Sequence, residues 1–407
     1  MRTIVFIGSQ KSGSSREAIR AAKSLGYQTV LLTNNEKFLK DSSEFPDVDL
    51  MEFSKLSDID HLRKSILELK RTGAEICSIV SFIDAGVYNA SKLADELGIN
   101  RFSKDAIFNM IDKVRSREIL SNTEFGPVFT VLPNSCLDGS CVNEILQRFP
   151  MIMKSPRSNA SRDVIQINNQ REFEKYVGLL SSKFPATPIL LEEFLDGPQY
   201  LVEVVMFKGE VRIIAVIEQE IEHKTRFIVI GYNLLLDLPE DFTKSLTQAV
   251  ECIVKTHAME TGGCHLEMRL VKGKWKLIEI NPRISGAGMN RLIEEAYGVN
   301  LVRETIKMSL GEEPILTPQW KKHVYAKYVT VSSTGILEKA SGKRRAREST
   351  GVRYVHVIPR KGARLVPPSA MGHRYAYVIA EGDSEMQAKN NAIRAASYIK
   401  FKIRKEK

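Results

Sequence analysis

The sequence predicts a mixed α/β and α+β protein of two or three packed domains, and three observations lead to this expectation. Its 407 residues exceed what one ordinary hydrophobic core organises. Residues 1–105 alternate apolar strand-like runs with amphipathic helical stretches, which is typical of a parallel sheet covered by helices. From about Asp105 the pattern changes to a series of short β-like runs. We therefore place a domain boundary near that residue.

The N-terminal segment consists of repeated strand–helix units. Its expected strands are Thr3–Gly8, Gln28–Leu32 and Ile76–Phe82, and a helix is expected at Val87–Leu97. A loop rich in Gly and Ser, Ser9–Ser15, follows the first strand. Its glycines lack the GxGxxG spacing of a dinucleotide-binding fingerprint. We interpret this loop as a structural turn that can hold a substrate anion at the N-terminus of the next helix.

The rest of the chain predicts an α+β arrangement. The expected elements up to residue 310 are a helix at Lys104–Leu120, strands at Met151–Lys154, Val164–Ile167, Pro188–Glu193, Tyr200–Phe207, Val211–Ile217 and Arg226–Ile230, a helix opening at Pro239, and a hairpin of His265–Leu270 with Trp275–Ile280. After residue 310 we expect strands at Tyr325–Val331, Arg353–Val357 and Tyr375–Ala380 and a final helix at Ser384–Ala396.

Composition narrows the class of protein. Hydrophobic residues make up 43% and charged residues 27% of the chain, which is the balance of a soluble globular protein. The five cysteines are odd in number and lack CxxC spacing, so a disulfide framework or zinc site is not expected and a reducing cytoplasm fits best. No apolar run is long enough to span a bilayer, and the first residues lack the features of a signal peptide.

The net charge of +10 raises the question of nucleic-acid binding. Part of the excess lies in two basic clusters, Lys343–Arg347 and Lys400–Lys407. No aromatic residues are interleaved with the first cluster as stacking platforms for bases. We interpret both clusters as solvated surface and expect no nucleic-acid partner. A basic field also suits an enzyme that collects polyanionic nucleotides.

The strongest chemical signal is an acidic hairpin. Strand alternation places Glu267 on one face of the first strand and Glu279 with Asn281 on one face of the second. If the loop is centred on Gly273, Glu267 lies opposite Glu279. Two carboxylates side by side raise each other's pKa unless a cation is present. Mg²⁺ is the natural partner for oxygen ligands that also hold nucleotide phosphates, although an ordinary surface hairpin would look similar.

Three further groups add to this signal. Asn281–Gly288 joins Arg283 to a glycine-rich loop, and Arg can bind a carboxylate or phosphate through two hydrogen bonds. Met151–Lys154 is an apolar strand that ends in a lysine before the Ser-rich loop Ser155–Asp163. Leu190–Gly197 ends a strand in a carboxylate pair, an aromatic residue and a leucine, a combination that suits a purine. Taken alone, each of the last two groups is more often structural.

The order of these groups along the chain resembles the ATP-grasp superfamily over roughly residues 1–310. The resemblance implies an ATP-grasp fold with an N-terminal parallel α/β domain (1–105), an ATP-grasp region (106–310) that includes a central lid at about 150–205, and a C-terminal α/β subdomain (311–407). It also implies roles for individual residues: Lys113, Lys154 and Ser161 at the ATP phosphates; Glu192, Glu193, Phe194 and Leu195 at adenine; Gln199 at the ribose; Glu267, Glu279 and Asn281 at Mg²⁺, which Mn²⁺ can replace; and Arg283 and Gly288 in catalysis.

Two features depart from the family pattern. The loop that covers the phosphates is usually glycine-rich, but Ser158–Asp163 contains no glycine. The carboxylate that often binds the ribose appears here as Gln199. An amide can still form a hydrogen bond with a ribose hydroxyl, but without charge.

Within the superfamily, the Glu-Ile-Asn-Pro-Arg loop and the overall size are most similar to the bacterial L-amino acid ligases. Arg374–Gly382 is similar to their last domain. This resemblance implies that the chain joins L-amino acids or short peptides through an acyl phosphate and releases ADP and phosphate. It also implies small-molecule substrates, a cytoplasmic location, no membrane partner and a homodimer.

Other interpretations remain open from the sequence. A ligase of the purine pathway, or one for another small metabolite, would use a similar site, and a non-catalytic nucleotide- or nucleic-acid-binding protein could keep the fold. His223 or His265 can help to deprotonate the amine, or either can be structural. Lys224 and Arg226 are candidates for holding the carboxylate of the acceptor substrate.

Overall fold

The structure is a computed structural model, and it describes residues 1–133, 149–155, 163–185, 187–223 and 227–406. Three residues of the expected site lie outside these ranges: Ser161, Lys224 and Arg226. The side chain of His223 also lies outside the described part of the chain.

The N-terminal segment forms a four-stranded parallel sheet in the order β3-β2-β1-β4. Its strands are β1 (Arg2–Ile7), β2 (Gln28–Thr33), β3 (Leu50–Phe53) and β4 (Glu75–Val80). The helices are α1 (Ser14–Ser24), α2 (Glu36–Lys40), α3 (Ile59–Arg71) and α4 (Asp84–Glu96), with a short 3-10 helix at Ser42–Glu44. The parallel α/β arrangement expected from the alternating pattern is confirmed.

The expected helix at Lys104–Leu120 is two helices, α5 (Lys104–Ile111) and α6 (Lys113–Leu120). Asp112 separates them because its backbone is extended and its carboxylate accepts a hydrogen bond from the N–H of Arg115, which caps α6. A second element therefore starts at Lys113. This break places the lysine at the beginning of a helix that faces the cleft described below.

A second four-stranded sheet, in the order β5-β8-β6-β7, is antiparallel. Its strands are β5 (Phe129–Leu132), β6 (Met151–Lys154), β7 (Val164–Ile167) and β8 (Ile189–Glu193), and α7 (Gln170–Lys183) covers it. We call this unit the small sheet. Its hydrophobic core forms a cluster of its own, separate from the cores of the other sheets.

An eight-stranded sheet, the large sheet, has the order β13-β12-β9-β10-β11-β14-β18-β16. Its strands are β9 (Gln199–Phe207), β10 (Glu210–His223), β11 (Phe227–Leu235), β12 (Gly262–Val271), β13 (Lys274–Asn281), β14 (His323–Val329), β16 (Val352–Val357) and β18 (Ala376–Gly382). One face packs against α8 (Glu240–Thr256). The opposite face, here the inner face, packs against α9 (Met289–Tyr297), α10 (Leu301–Ser309) and the N-terminal segment.

The residues after 310 contribute to two sheets. Three of their strands, β14, β18 and β16, extend the large sheet. A separate three-stranded sheet consists of β17 (Arg364–Leu365), β15 (Gly335–Ser341) and β19 (Lys400–Arg404). The helices are α11 (Lys343–Arg347) and α12 (Glu385–Ser397), with a short 3-10 helix at Met371–His373. The C-terminal segment thus adds side chains to the inner face.

Two negative findings apply to the described part of the chain. The cysteines Cys77, Cys252 and Cys264 are free thiols. No helix there combines the length and the apolar character that crossing a bilayer requires.

Candidate active site

A cleft lies between the small sheet and the large sheet. Its empty volume, including the part open to solvent, is about 710 Å³. Nine of the residues expected to bind ATP or metal line it: Lys113, Lys154, Glu192, Glu193, Phe194, Leu195, Gln199, Glu267 and Glu279. These residues come from α6, the small sheet and the loop that follows its strand β8, and three strands of the large sheet. The structure therefore brings together most of the site that sequence order implied.

The acidic hairpin has the expected pairing. Glu267 is the cross-strand partner of Glu279, and His265 is the partner of Asn281. The turn itself is Lys272-Gly273, both with positive φ, which is typical of a tight two-residue hairpin loop. A bulge between Glu267 and Met268 then shifts the register by one residue. The expected pairing is correct because this bulge offsets the difference between a loop centred on Gly273 and the observed turn.

The pKa values of the two carboxyl groups are shifted in opposite directions. Burial, and after it the charge of Glu279, raise the pKa of Glu267 to about 7. Burial also acts to raise the pKa of Glu279, but the ammonium group of Lys113 outweighs it and holds that pKa below its usual value. Lys113 Nζ lies 2.9 Å from Glu279 Oε1. The negative charges of Glu267 and Glu279 therefore repel each other. A divalent cation bound by both carboxylates would relieve this repulsion.

Asn281 lies at the edge of a neighbouring cavity of about 440 Å³, which also includes Asp84, Lys113 and Glu279. Because Lys113 and Glu279 line both cavities, the amide is next to the carboxylate pair. Within the described residues, no group of three or more His, Cys, Asp or Glu side chains could hold a metal ion. The expected set has two carboxylates and one amide, and this donor chemistry fits Mg²⁺, which commonly keeps several waters.

A buried charge triad stands at the base of the small sheet. Glu192 Oε1 accepts a hydrogen bond from Arg117 Nε at 2.6 Å, and Lys154 Nζ lies 2.7 Å from Glu192 Oε2. All three side chains are at most 6% exposed. Burial lowers the pKa of Lys154 to about 8 against the opposing effect of Glu192. Both oxygens of Glu192, which was expected at adenine, are therefore engaged by protein cations.

The other expected adenine and ribose residues form the opposite end of the cleft. The rings of Phe194 and Phe227 are 6.4 Å apart, and the guanidinium of Arg269 lies within 6 Å of each ring centre, at 5.6 and 5.8 Å. Arg269 donates hydrogen bonds to the backbone oxygen of Leu195 and to Oε1 of Gln199. Gln199 in turn donates from Nε2 to Gln219 Oε1 at 2.7 Å. Gln199 is thus held by protein groups at both ends of its amide.

Glu193 lies where β8 leaves the small sheet. Its Oε1 accepts a hydrogen bond from the backbone N–H of Val128 at 2.8 Å, and its backbone N–H donates to Val128 O. The side chain still lines the cleft together with Phe194 and Leu195. The two hydrogen bonds to Val128 therefore fix the end of this strand.

Arg283 is held by Asp84. Arg283 Nε donates to Asp84 Oδ1 at 2.6 Å, and the guanidinium also bonds the backbone oxygen of Ile284. Burial acts to raise the pKa of Asp84, but the hydrogen bond from Arg283 outweighs it and lowers that pKa. His265 contacts the backbone oxygen of Arg283 through Nδ1 at 2.8 Å. Burial, followed by the Arg283 charge, lowers the pKa of His265 to about 4, so the ring is neutral and supports the loop.

The loop after Arg283 rests on a buried carboxylate. Glu203 is fully buried, and both of its oxygens accept from the backbone N–H of Ser285, at 3.0 and 3.2 Å, while the Ser285 hydroxyl also donates to it. The Ser285 carbonyl accepts from the Ser14 hydroxyl at 2.8 Å and from the Asn290 amide at 2.7 Å. The Ser-rich N-terminal loop therefore joins the Arg283 loop.

Gly288 adopts a left-handed conformation with φ of 92° at the start of α9. A Cβ at this position would lie 2.8 Å from the ring of Tyr377. The glycine is thus required both by backbone conformation and by close packing. It stands at the end of the Arg283 loop, as expected.

Sequence reasoning missed the partners that hold the expected residues and their loop: Asp84, Arg117, Glu203 and Arg269. Asp84 follows the carboxyl end of a parallel strand, where ligand sites of open α/β sheets lie, and this rule could have identified it. The others carried no local signal, because their partners are remote in sequence.

Comparison with known proteins agrees with this geometry. Residues 147–291 match the sequence profile of the ATP-grasp domain, and residues 327–404 match that of the L-amino acid ligase C-terminal domain 2. The chain therefore contains an ATP-grasp domain. An uncharacterized protein, y4rH of Sinorhizobium fredii, is 23% identical over 352 residues, which cover 85% of this chain and 73% of y4rH.

Solved structures share the ATP-grasp fold over the whole chain. The crystal structure of an L-amino acid ligase from Bacillus licheniformis superposes with a TM-score of 0.84 at 18% identity, covering 100% of this chain and 99% of the other. Phosphoribosylglycinamide synthetase from Anaerococcus prevotii gives a TM-score of 0.74 at 15% identity, covering 99% and 100%. At these identities the structural similarity establishes the fold but does not identify the substrates.

Proposed function

We propose that this ATP-grasp protein is an ADP-forming ligase that joins L-amino acids or short peptides through an acyl phosphate. The observation that carries the proposal is the cleft in which the pair Glu267 and Glu279 faces the lysines from α6 and β6. Support for the substrate class comes from the C-terminal match to an L-amino acid ligase domain. A phosphoribosylglycinamide-type substrate is the second candidate, supported by the similar fold of that synthetase.

ATP would enter the cleft with its adenine between the sheets. Phe194, Phe227 and the Leu195 backbone provide an apolar slot at one end. Lys113 and Lys154 lie at the other end, where each now pairs with a carboxylate. Binding of the triphosphate would give both ammonium groups an additional anion to contact.

Mg²⁺ held by Glu267, Glu279 and Asn281 would supply charge neutralisation between the γ-phosphate and the incoming carboxylate. In the first step, a carboxylate oxygen of the donor attacks the γ-phosphorus, the bond to the β-phosphate oxygen breaks, and ADP leaves. Lys113 and Lys154 hold the phosphate oxygens during the transfer. The product is an acyl phosphate, in which phosphate replaces oxide as the leaving group.

In the second step, the amine of the acceptor attacks the acyl carbon. Arg283 and the backbone N–H groups near Gly288 would stabilise the tetrahedral oxyanion. Phosphate leaves as the amide bond forms, and the proton that the amine loses leaves with the phosphate. Asp84 orients Arg283 through their 2.6 Å contact, while His265 supports the backbone of the same loop.

The test is a screen of all pairs of L-amino acids with ATP and Mg²⁺, read by ADP release and by mass spectrometry of the products. We expect one or more dipeptides to form in proportion to ADP. If no pair gives a peptide while phosphoribosylamine and glycine give turnover, the purine-type candidate replaces the peptide ligase. Size-exclusion chromatography with light scattering tests the expected homodimer.

A further inference from the structure

The inner face of the large sheet continues beyond the metal carboxylates to a buried arginine, Arg374. Residues of β12, β9, β10, β11, β14 and β18 that share this face are linked by register: Glu267 to Leu201, Leu201 to Ile217, Gln219 to Tyr232, and Tyr328 to Tyr377. Arg374 lies two residues before the start of β18 and reaches Tyr232 and Tyr328 on the same face. The C-terminal segment therefore contributes a cation to the face that carries Glu267.

Arg374 is only partly satisfied by protein groups. Nε donates to Met371 O at 3.0 Å, and NH1 donates to Val229 O at 3.1 Å and to the Tyr232 hydroxyl at 2.9 Å. The guanidinium centre lies 4.1 Å from the ring centre of Tyr328. Among the described residues, no carboxylate forms an ion pair with Arg374, and its NH2 nitrogen makes no hydrogen bond. This leaves one edge of the guanidinium without an acceptor.

This arrangement differs from the other buried arginines outside the cleft. Arg16 is paired with Asp47, and Arg117 with Glu192. Arg374 is only 6% exposed, so a charge without a counter-ion is costly there. A second donor lies beside it: Nε2 of Gln219, the cross-strand neighbour of Tyr232, is buried without an acceptor in the described structure. Two donors without acceptors, both next to Tyr232, indicate a site that an anion completes.

Arg374 lies near both Glu267 and the Arg283 loop. Arg374 reaches the sheet face that carries Glu267, and the charges of the two side chains interact. The ring of Tyr328 lies under the guanidinium, and its hydroxyl donates to the backbone oxygen of Ala287 in the Arg283 loop. The ring of Tyr328 stacks on that of Tyr377, which packs against Gly288. Arg374 is therefore one aromatic ring away from the loop that would stabilise the oxyanion.

We propose that Arg374 binds the carboxylate of the acceptor amino acid or peptide through its free guanidinium edge. The proposal rests on the ligase function proposed above, since only an acceptor that attacks by its amine keeps an unreacted carboxylate. Arg283 has its own partner in Asp84 and serves the acyl group, so a second cation is needed for this carboxylate. Tyr232 fixes the guanidinium through its hydroxyl, and the Tyr328 ring fixes its plane.

The experiment compares the wild type with Arg374→Gln, Arg374→Lys and the control Arg353→Gln. Arg353 lies on β16 of the same segment, its side chain is 46% exposed, and it pairs with Glu295 on the surface. Peptide formation is measured with the donor and acceptor from the screen, the acceptor being offered as the free acid or as its C-terminal amide. Thermal unfolding is measured for all four proteins with and without each amino acid, its amide and inorganic phosphate.

For Arg374→Gln we expect the acceptor KM for the free acid to rise about 10- to 100-fold, as for loss of a charge-assisted hydrogen bond. The KM for ATP, for the donor and for the acceptor amide should stay near the wild-type values. Arg374→Lys should recover part of the preference for the acid, and Arg353→Gln should behave as wild type. An equal loss of activity with acid and amide would show a structural role and overturn the proposal, as would an unchanged preference.

The two proposals fail separately. If the wild type forms no peptide with any pair, the ligase function is wrong, and the thermal arm then decides the role of Arg374. Stabilisation by a free amino acid but not its amide, lost in Arg374→Gln, would support a carboxylate site without ligation. No acid-selective stabilisation in the wild type, or the same selectivity in Arg374→Gln, would overturn it. Selective stabilisation by inorganic phosphate instead would point to a phosphorylated substrate and against the acceptor carboxylate.

Discussion

Replacing Glu203 by Gln should remove a pH-dependent loss of stability from the protein. Burial raises the pKa of Glu203 to about 7 despite hydrogen bonds from Ser285 that oppose it. Below pH 4.5 the carboxyl is protonated in both the folded and the unfolded chain, so it has no effect on stability. As the pH rises towards 7, the unfolded chain loses the proton first, and the folded state becomes less stable relative to it.

The magnitude follows from the difference between the two pKa values. A pKa raised from 4.5 to about 7 corresponds to about 3 kcal/mol of stability lost between these pH values. Gln is neutral at every pH, and it can accept from the Ser285 N–H through Oε1 while donating to the Ser285 hydroxyl, which can act as donor or acceptor. The Tm of the variant should therefore rise relative to wild type as the pH increases from 4 to 8.

Thermal unfolding of the two proteins across this pH range is the measurement. Glu267 has a similar raised pKa, but it is present in both proteins, so the difference between the two curves isolates Glu203. Glu210→Gln is the matched control, because that side chain is 64% exposed on the same strand pair. Parallel curves for wild type and Glu203→Gln would refute the reasoning, because they would show that Glu203 has the same pKa in the folded and the unfolded chain.

The charges of the cleft make three other outcomes testable. Glu279→Gln should abolish ADP formation without changing the circular dichroism spectrum; Mg²⁺-dependent activity near wild type would count against the metal assignment. ADP and phosphate should be released with the peptide, and AMP as the stoichiometric product would exclude an acyl phosphate. Glu192→Gln should lower Tm more than Lys154→Met, because it leaves Arg117 and Lys154 buried without a counter-ion, at a cost of roughly 3–5 kcal/mol. Equal Tm values would show that water solvates the two cations.

The parts of the fold that could be predicted are those encoded by local periodicity. The strands at Met151–Lys154 and Val164–Ile167 have the expected bounds, and the parallel N-terminal sheet follows from its alternating pattern. The hairpin pairing of Glu267 with Glu279 was correct for an incomplete reason, since the bulge was not expected. A bulge depends on how a strand fits its neighbours in the sheet, and a single strand's sequence does not show this.

Breaks and distant partners were harder to predict. The apolar spacing from Lys104 to Leu120 suits one helix, and only the extended backbone of Asp112 divides it. Strands β15, β17 and β19 were not expected, because strands that are very short or largely exposed carry little apolar alternation. In the sequence, Arg117 is one of several charged residues of a predicted helix. Only the fold brings it against Glu192, which lies on the small sheet.

A role inferred from residue type alone can also be wrong or incomplete. Glu192 fits the pattern of an adenine-contacting carboxylate, yet its two oxygens are held by Arg117 and Lys154. It can therefore act on ATP indirectly, by holding Lys154 at the end of β6 with a pKa near 8, where approach of a triphosphate would favour the charged ammonium form. The glycine at 288 likewise suits an anion-binding loop, but the Tyr377 ring would exclude a larger residue even without any ligand. The chemical roles of both positions depend on neighbours that only the folded chain supplies, and the C-terminal strands that carry Tyr377 and Arg374 are as much a part of the site as the acidic hairpin.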